Sequence, residues 1–225
     1  IVWKDADIGE AVDGAVRGRF YNAGQTCTAV KRLFIHEEIA GVFIAQLKRK
    51  VESLIVGDGS NPSVQMGPLT GMAIFERIAS MVEEVRKKDQ GTILTGGFPL
   101  SGPGFEGGFF YSPTLVTDPG PLCPLMNREV FGPVLPVSVI RSLDEAISRA
   151  NETRYGLGAS VWTRDMVIAR EVFSRVDAGV VWLNRHTVLP PEIPFGGVKA
   201  SGLGRENGLQ AYRNYTRTKA FFLNW

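Results

Sequence analysis

The 225 residues carry 25 basic and 23 acidic side chains for a formal charge of +2, with 44 % hydrophobic and 21 % charged residues. A chain of this length can bury about 70 % of its unfolded surface, enough for a substantial core without staples. Its balanced charge, with basic clusters no longer than Lys48-Arg49-Lys50 and Arg86-Lys87-Lys88, argues against a nucleic-acid partner, and no apolar run approaches the roughly 18 residues of a membrane span.

Cys27 and Cys123 are the only cysteines. They lie too far apart for a zinc ribbon or a CxxC redox site, and two are too few for a secreted disulfide scaffold. The reading is therefore no metal and a reducing, cytoplasmic setting. The amino terminus has no basic segment followed by an apolar core and cleavage site, so no signal peptide is expected.

In chain order, Ile8, Val12, Val16 and Phe20 recur at four-residue spacing and predict a helix leading into a polar turn. Ala29 to Ile35 reads as a strand. A helix follows with Ile39, Val42, Phe43, Leu47, Val51 and Leu54 on one face, and another carries Ile74, Ile78, Met81, Val82 and Val85. Both are expected to pack on a sheet. Strands are predicted at Thr92 to Thr95 and Phe109 to Thr117, separated by a Gly/Pro-rich surface loop from Gly96 to Gly108.

Beyond it the pattern is strand Val134 to Ile140, helix Leu143 to Ala150 with a Ser142/Glu145 capping box, strand Leu157 to Thr163, helix Asp165 to Val176 and strand Gly179 to Leu183. Such alternation predicts an α/β fold with a largely parallel sheet flanked by helices. Gly102, Gly104 and Gly107 have G-x-G-x-x-G spacing, but Pro103 lies inside it and a strand follows, so no phosphate-binding helix is expected there.

The turn Phe20-Tyr21-Asn22-Ala23-Gly24-Gln25-Thr26-Cys27-Thr28 sets a cysteine among small polar residues, where Gly24 permits close backbone approach and amides can face an oxyanion. On these residues alone a working thiol and an inert structural cysteine are equally supported. The order GQTC, then EVFGPV at Glu129 to Val134, then PFGGVKASGLGRENG at Pro194 to Gly208, resembles the catalytic half of the aldehyde dehydrogenase superfamily.

The resemblance implies that Cys27 is the nucleophile, forming a thiohemiacetal and then a thioester with NAD or NADP as cofactor. It implies that Glu129 holds the nicotinamide ribose and Phe131 packs near the ring. Glu206 matches a second family glutamate, with a role in proton relay or structural pairing. Tyr21, Thr26, Thr28, Leu189 and Phe195 fall on substrate-facing positions. Without the resemblance, Glu129 is an exposed carboxylate, Phe131 a core aromatic, and Leu189 ordinary packing.

Tyr21 stands where relatives acting on succinate semialdehyde often carry arginine, so an apolar or aromatic aldehyde is expected, with Arg185 or His186 as possible sources of charge. The resemblance also implies that the cofactor-binding half, the general-base glutamate and the oxyanion-hole asparagine precede Ile1, so this chain alone is expected to be inactive. Residues 1–218 are read as the catalytic domain and 219–225 as an apolar strand for a homo-oligomer. Transfer to coenzyme A is the alternative reaction. Two competing classes remain: a cysteine hydrolase, which needs His36 or His186 near Cys27, and a non-catalytic assembly half.

Overall fold

A computed structural model describes residues 1–225. Helix α1 (Ile8–Phe20) begins at Asp7, whose carboxylate accepts the Glu10 amide at 3.1 Å. Strand β1 (Leu33–His36) leads directly into α2 (Glu37–Glu52), and α3 (Met72–Lys87) precedes β2 (Thr92–Thr95). Then come β3 (Thr114–Thr117), the short α4 (Pro124–Asn127) and β4 (Val134–Ile140). The second lobe holds α5 (Leu143–Asn151), β5 (Tyr155–Gly156), β6 (Gly158–Val161), α6 (Met166–Arg175), β7 (Val180–Leu183), β8 (Val198–Lys199) and α7 (Gly208–Asn214).

One sheet has the order β1-β4-β3-β2, parallel except for β2, and β6 runs parallel to β7. Val2 joins the two sheets. It bridges Ile35 on one side and Trp162 on the other, with its amide donating to Phe34 at 2.8 Å and the Trp162 amide donating to Ile1 at 2.9 Å. The result is a mixed, mostly parallel sheet with its main core between β1, β3, β4 and the buried faces of α1, α2 and α3.

Several expectations need correction. The strand over Ala29 to Ile35 begins only at Leu33, because Val30 instead donates to the Gly18 carbonyl of α1 at 2.8 Å. The strand over Phe109 to Thr117 shortens to β3. Its first half pairs loosely with the preceding loop, Leu100 to Phe110 and Ser112 to Phe98, while that loop stays mostly exposed. Leu157 to Thr163 shortens to β6. On α2, Val42 is 58 % exposed because it lies about 100° around the helix from Phe43. Helices α2 and α3 both bury their apolar faces in the core cluster that holds the sheet residues, as expected, and α3 also touches α4.

Ser142 does cap α5, accepting the Glu145 amide at 3.1 Å, but the Glu145 carboxylate reaches the Arg141 amide rather than that of Ser142. Gly102, Gly104 and Gly107 sit at positive φ in an exposed loop that no helix follows, so they form no dinucleotide cradle. No helix is long and apolar enough to cross a membrane. Residues 217–225 form no helix or strand, and Phe221, Phe222, Leu223 and Trp225 are exposed.

Candidate active site

Helix α1 ends in a left-handed corner: Asn22, Ala23 and Gly24 have φ of 50°, 53° and 73°. Two consecutive non-glycine residues in this region are unfavourable and need local support. Asn22 and Gln25 supply it by each donating its side-chain amide to the other's carbonyl at 3.1 Å. Buried Gln25 also accepts the Thr70 amide at 2.8 Å, tying the corner to the next loop. Neither residue was singled out in the sequence, although Gln25 lies inside the GQTC motif.

The following residues form a second turn, closed by Ala29 donating to Thr26 at 3.0 Å. Cys27 occupies its centre with an exposed side chain. The backbone amides of Thr26, Cys27 and Thr28 donate to no protein acceptor, which leaves them free to hold a developing negative charge.

A cavity of about 420 Å³ opens at this turn, lined by Thr26, Cys27, Thr28, Glu129 and Phe131. Glu129 is exposed and its carboxylate has no ion-pair or hydrogen-bond partner in the chain, while Phe131 is half-buried at a φ of 48°. The two loops touch: a Cβ on Gly24 would stand 2.3 Å from the Gly132 carbonyl oxygen.

The remaining sequence candidates lie outside this cavity. Tyr21 heads the same corner but is 70 % exposed, and Leu189 is exposed in the loop after β7. Phe195 and Glu206 meet each other instead, exchanging two backbone hydrogen bonds of 2.7 Å, and the exposed Glu206 carboxylate has no partner.

His36 caps α2, accepting the Glu38 amide at Nδ1, and meets the Trp3 ring edge-on. His186 lines the cavity, but both its nitrogens are occupied. Its Nε2 bonds the Thr28 carbonyl at 2.7 Å and therefore carries the proton, which leaves Nδ1 to accept from Ser160 Oγ. Burial holds its pKa below the usual histidine value, so it is neutral. His186 has no free nitrogen for the Cys27 thiol and His36 does not line the cavity, which weighs against a Cys-His hydrolase, and His186 supplies no positive charge.

Lys31 also lines the cavity, donating to the Met126 carbonyl at 2.6 Å and the Leu125 carbonyl at 3.3 Å at the end of α4. Burial and the neighbouring Arg32 and Arg19 push its pKa from 10.5 to about 7. Below about pH 7 the folded chain bears the full cost of a buried ammonium. As pH rises toward 10.5 the unfolded chain keeps a proton that the folded one has released, so stability rises. Urea titrations of Lys31→Met and wild type are expected to show any advantage of the variant shrinking between about pH 7 and about pH 9.5.

The family model described as "Aldehyde dehydrogenase family" matches residues 1–221. A betaine aldehyde dehydrogenase of Vibrio vulnificus is 39 % identical over 223 residues, covering 99 % of this chain and 46 % of the relative; one from Mesorhizobium japonicum is equally similar. Among solved structures, 3,6-anhydro-L-galactose dehydrogenase in complex with NAP superposes with a TM-score of 0.95 at 33 % identity, over 100 % of this chain and 47 % of that one. Lactaldehyde dehydrogenase from Escherichia coli gives 0.91 at 30 %, over 99 % and 46 %. The chain spans about half the length of the relatives it matches. A cysteine turn, an EVFGPV loop and a PFGG segment set on the same fold over nearly every residue place this chain in the aldehyde dehydrogenase family.

Proposed function

We propose that the full-length protein oxidises an aldehyde to a carboxylic acid with NAD or NADP, using Cys27 as the nucleophile. The observation that carries this is the exposed Cys27 on a turn of unoccupied amides, sharing one cavity with Glu129 and Phe131. The Cys27 sulfur bonds to the carbonyl carbon, and the amide of Cys27 with its neighbours holds the resulting oxyanion. Thiol chemistry suits both stages, because sulfur is a strong nucleophile and leaves readily from a thioester.

An unpaired carboxylate beside a half-buried aromatic ring matches the donor set wanted by a ribose and a planar nicotinamide, so Glu129 and Phe131 would hold that end of the cofactor. When bound, the cofactor supplies the acceptor for the hydride leaving the aldehyde carbon. Thioester hydrolysis then needs a base. His186 has both nitrogens engaged and Lys31 is held by two carbonyls, so we assign the base to the protein beyond this chain and expect residues 1–225 alone to be inactive. Transfer to coenzyme A is the alternative fate of the same thioester.

Tyr21, Leu189 and Phe195 are proposed to face an apolar or aromatic aldehyde, with Thr26 and Thr28 flanking the reacting carbon and Glu206 in a structural pairing. The exposed aromatic segment 219–225 is proposed to join subunits of a homo-oligomer. The reading is tested by NAD(P) reduction by the full-length protein against a panel that includes benzaldehyde, betaine aldehyde and succinate semialdehyde. Glu129→Gln is expected to slow hydride transfer in stopped flow by about tenfold or more while leaving iodoacetamide alkylation of Cys27 unchanged. Unaltered hydride transfer would remove Glu129 from cofactor positioning.

A further inference from the structure

Arg19 occupies the last turn of α1 and is 2 % exposed. No carboxylate pairs with it. Its Nη1 donates to the Val30 carbonyl at 3.1 Å, its Nη2 donates to the Gly132 carbonyl, and its Nε has no partner at all. Burial lowers its pKa to about 9, so it remains a cation at neutral pH. Taking an unpaired cation out of water is unfavourable, and an apolar side chain of similar volume would fill this space at lower cost. What only the guanidinium supplies is a rigid planar fork that fixes two carbonyls relative to each other.

Those two carbonyls belong to the two loops that make the cavity. Val30 follows the turn that carries Cys27, and Gly132 follows Phe131, whose left-handed φ already marks a constrained corner. The same Gly132 oxygen is the atom nearest the Cβ position of Gly24. The corner that presents the thiol and the loop bearing Glu129 and Phe131 therefore meet at one backbone group, and Arg19 grips it from beneath.

We propose that Arg19 is a positioning residue that locks the Cys27 turn to the Glu129–Gly132 loop, setting the thiol in register with the group held by that loop. The inference rests on the dehydrogenase reading above. Arg19 touches no reacting atom in this scheme; it acts through two backbone segments.

The test uses the full-length protein with Arg19→Met and Arg19→Lys. In Arg19→Met, single-turnover hydride transfer per iodoacetamide-titratable Cys27 thiol is expected to fall at least about tenfold, with KM for the aldehyde changed less than about twofold. Lysine keeps the charge but spans the two carbonyls poorly, so Arg19→Lys is expected to recover part of the loss and to give a measurable protein should the methionine variant fail to fold.

Hydrogen exchange supplies a readout independent of turnover. The hydrogen-bonded amides of Ala29, Val30 and Val134, which lie in the two gripped segments, are expected to exchange faster together in both variants, with β1 and β3 unchanged. An unaltered rate per titrated thiol, or exchange rising evenly along the chain, overturns the proposal. Should wild type transfer no hydride from any aldehyde, the dehydrogenase reading fails by itself, and the exchange pattern alone then decides for or against the lock.

Discussion

Replacing Cys27 by serine in the full-length protein is expected to lower aldehyde-dependent NAD(P) reduction by more than about a thousandfold. A hydroxyl has too high a pKa to be ionised here, and an oxygen ester would give up its acyl group less readily. The folded state should hardly notice, since Cys27 is exposed and lies outside the hydrophobic core, so stability is expected to change by less than about 0.5 kcal/mol. Cys123 serves as an internal control: it is buried, and desolvation pushes its thiol pKa up. Native wild-type protein should therefore take up iodoacetamide at Cys27 alone, as judged by peptide mass, and the variant should take up none. A Cys27→Ser protein that kept its rate would end the covalent mechanism proposed for this turn.

The second large effect is expected at Gly24, where alanine meets two independent obstacles. The residue's φ of +73° is unfavourable for any side chain, and a Cβ would lie 2.3 Å from the Gly132 oxygen and 2.6 Å from its carbon. Both neighbours are backbone, so no side chain can swing aside. The combined penalty is about 2–5 kcal/mol, and relief requires the cysteine corner to separate from the Phe131 loop. A displacement of about 1 Å at a catalytic group costs about a hundredfold in rate, so Gly24→Ala is expected to lose activity as well as stability. Gly41, on α2 with nothing within 4 Å of its Cβ position, provides the contrast. Gly41→Ala should be neutral or stabilising by up to about 1 kcal/mol in the same thermal melts, with full activity. A Gly24→Ala enzyme with normal turnover would show that the two loops need not touch.

Local patterning made the regular elements legible. The four-residue recurrence from Ile8 to Phe20 and the run Val134 to Ile140 correspond to α1 and β4 at their observed limits. The failures came where a long-range contact outweighed β propensity. Val30 has a strand-former's side chain, yet its amide is claimed by Gly18, and Pro113 breaks the run that begins at Phe109.

The site divides along the same line. Cys27 and Glu129 could be picked out because short motifs surround them. Arg19 could not, because a lone arginine at a helix end ordinarily reads as a solvated charge favouring the helix dipole. Only the fold brings Gly132, 113 residues further on, to its guanidinium. Val42 failed in the opposite sense: the helix was right, but one residue of angular error moved it from core to solvent.

The way Val2 sits between Ile35 and Trp162 also bears on the order in which this chain can fold. Its partner in β1 is near in sequence, but the hydrogen bond between Trp3 and Trp162 spans the whole first lobe and the start of the second. Closing so long a loop is entropically slow. The central seam of the sheet is therefore expected to zip late. Because the cavity beside Cys27 is walled by Phe34 on one side of that seam and Ser160 on the other, the wall opposite the thiol is expected to be completed only when the amino-terminal segment is seated, so a chain slow to close the seam would present its thiol before its pocket.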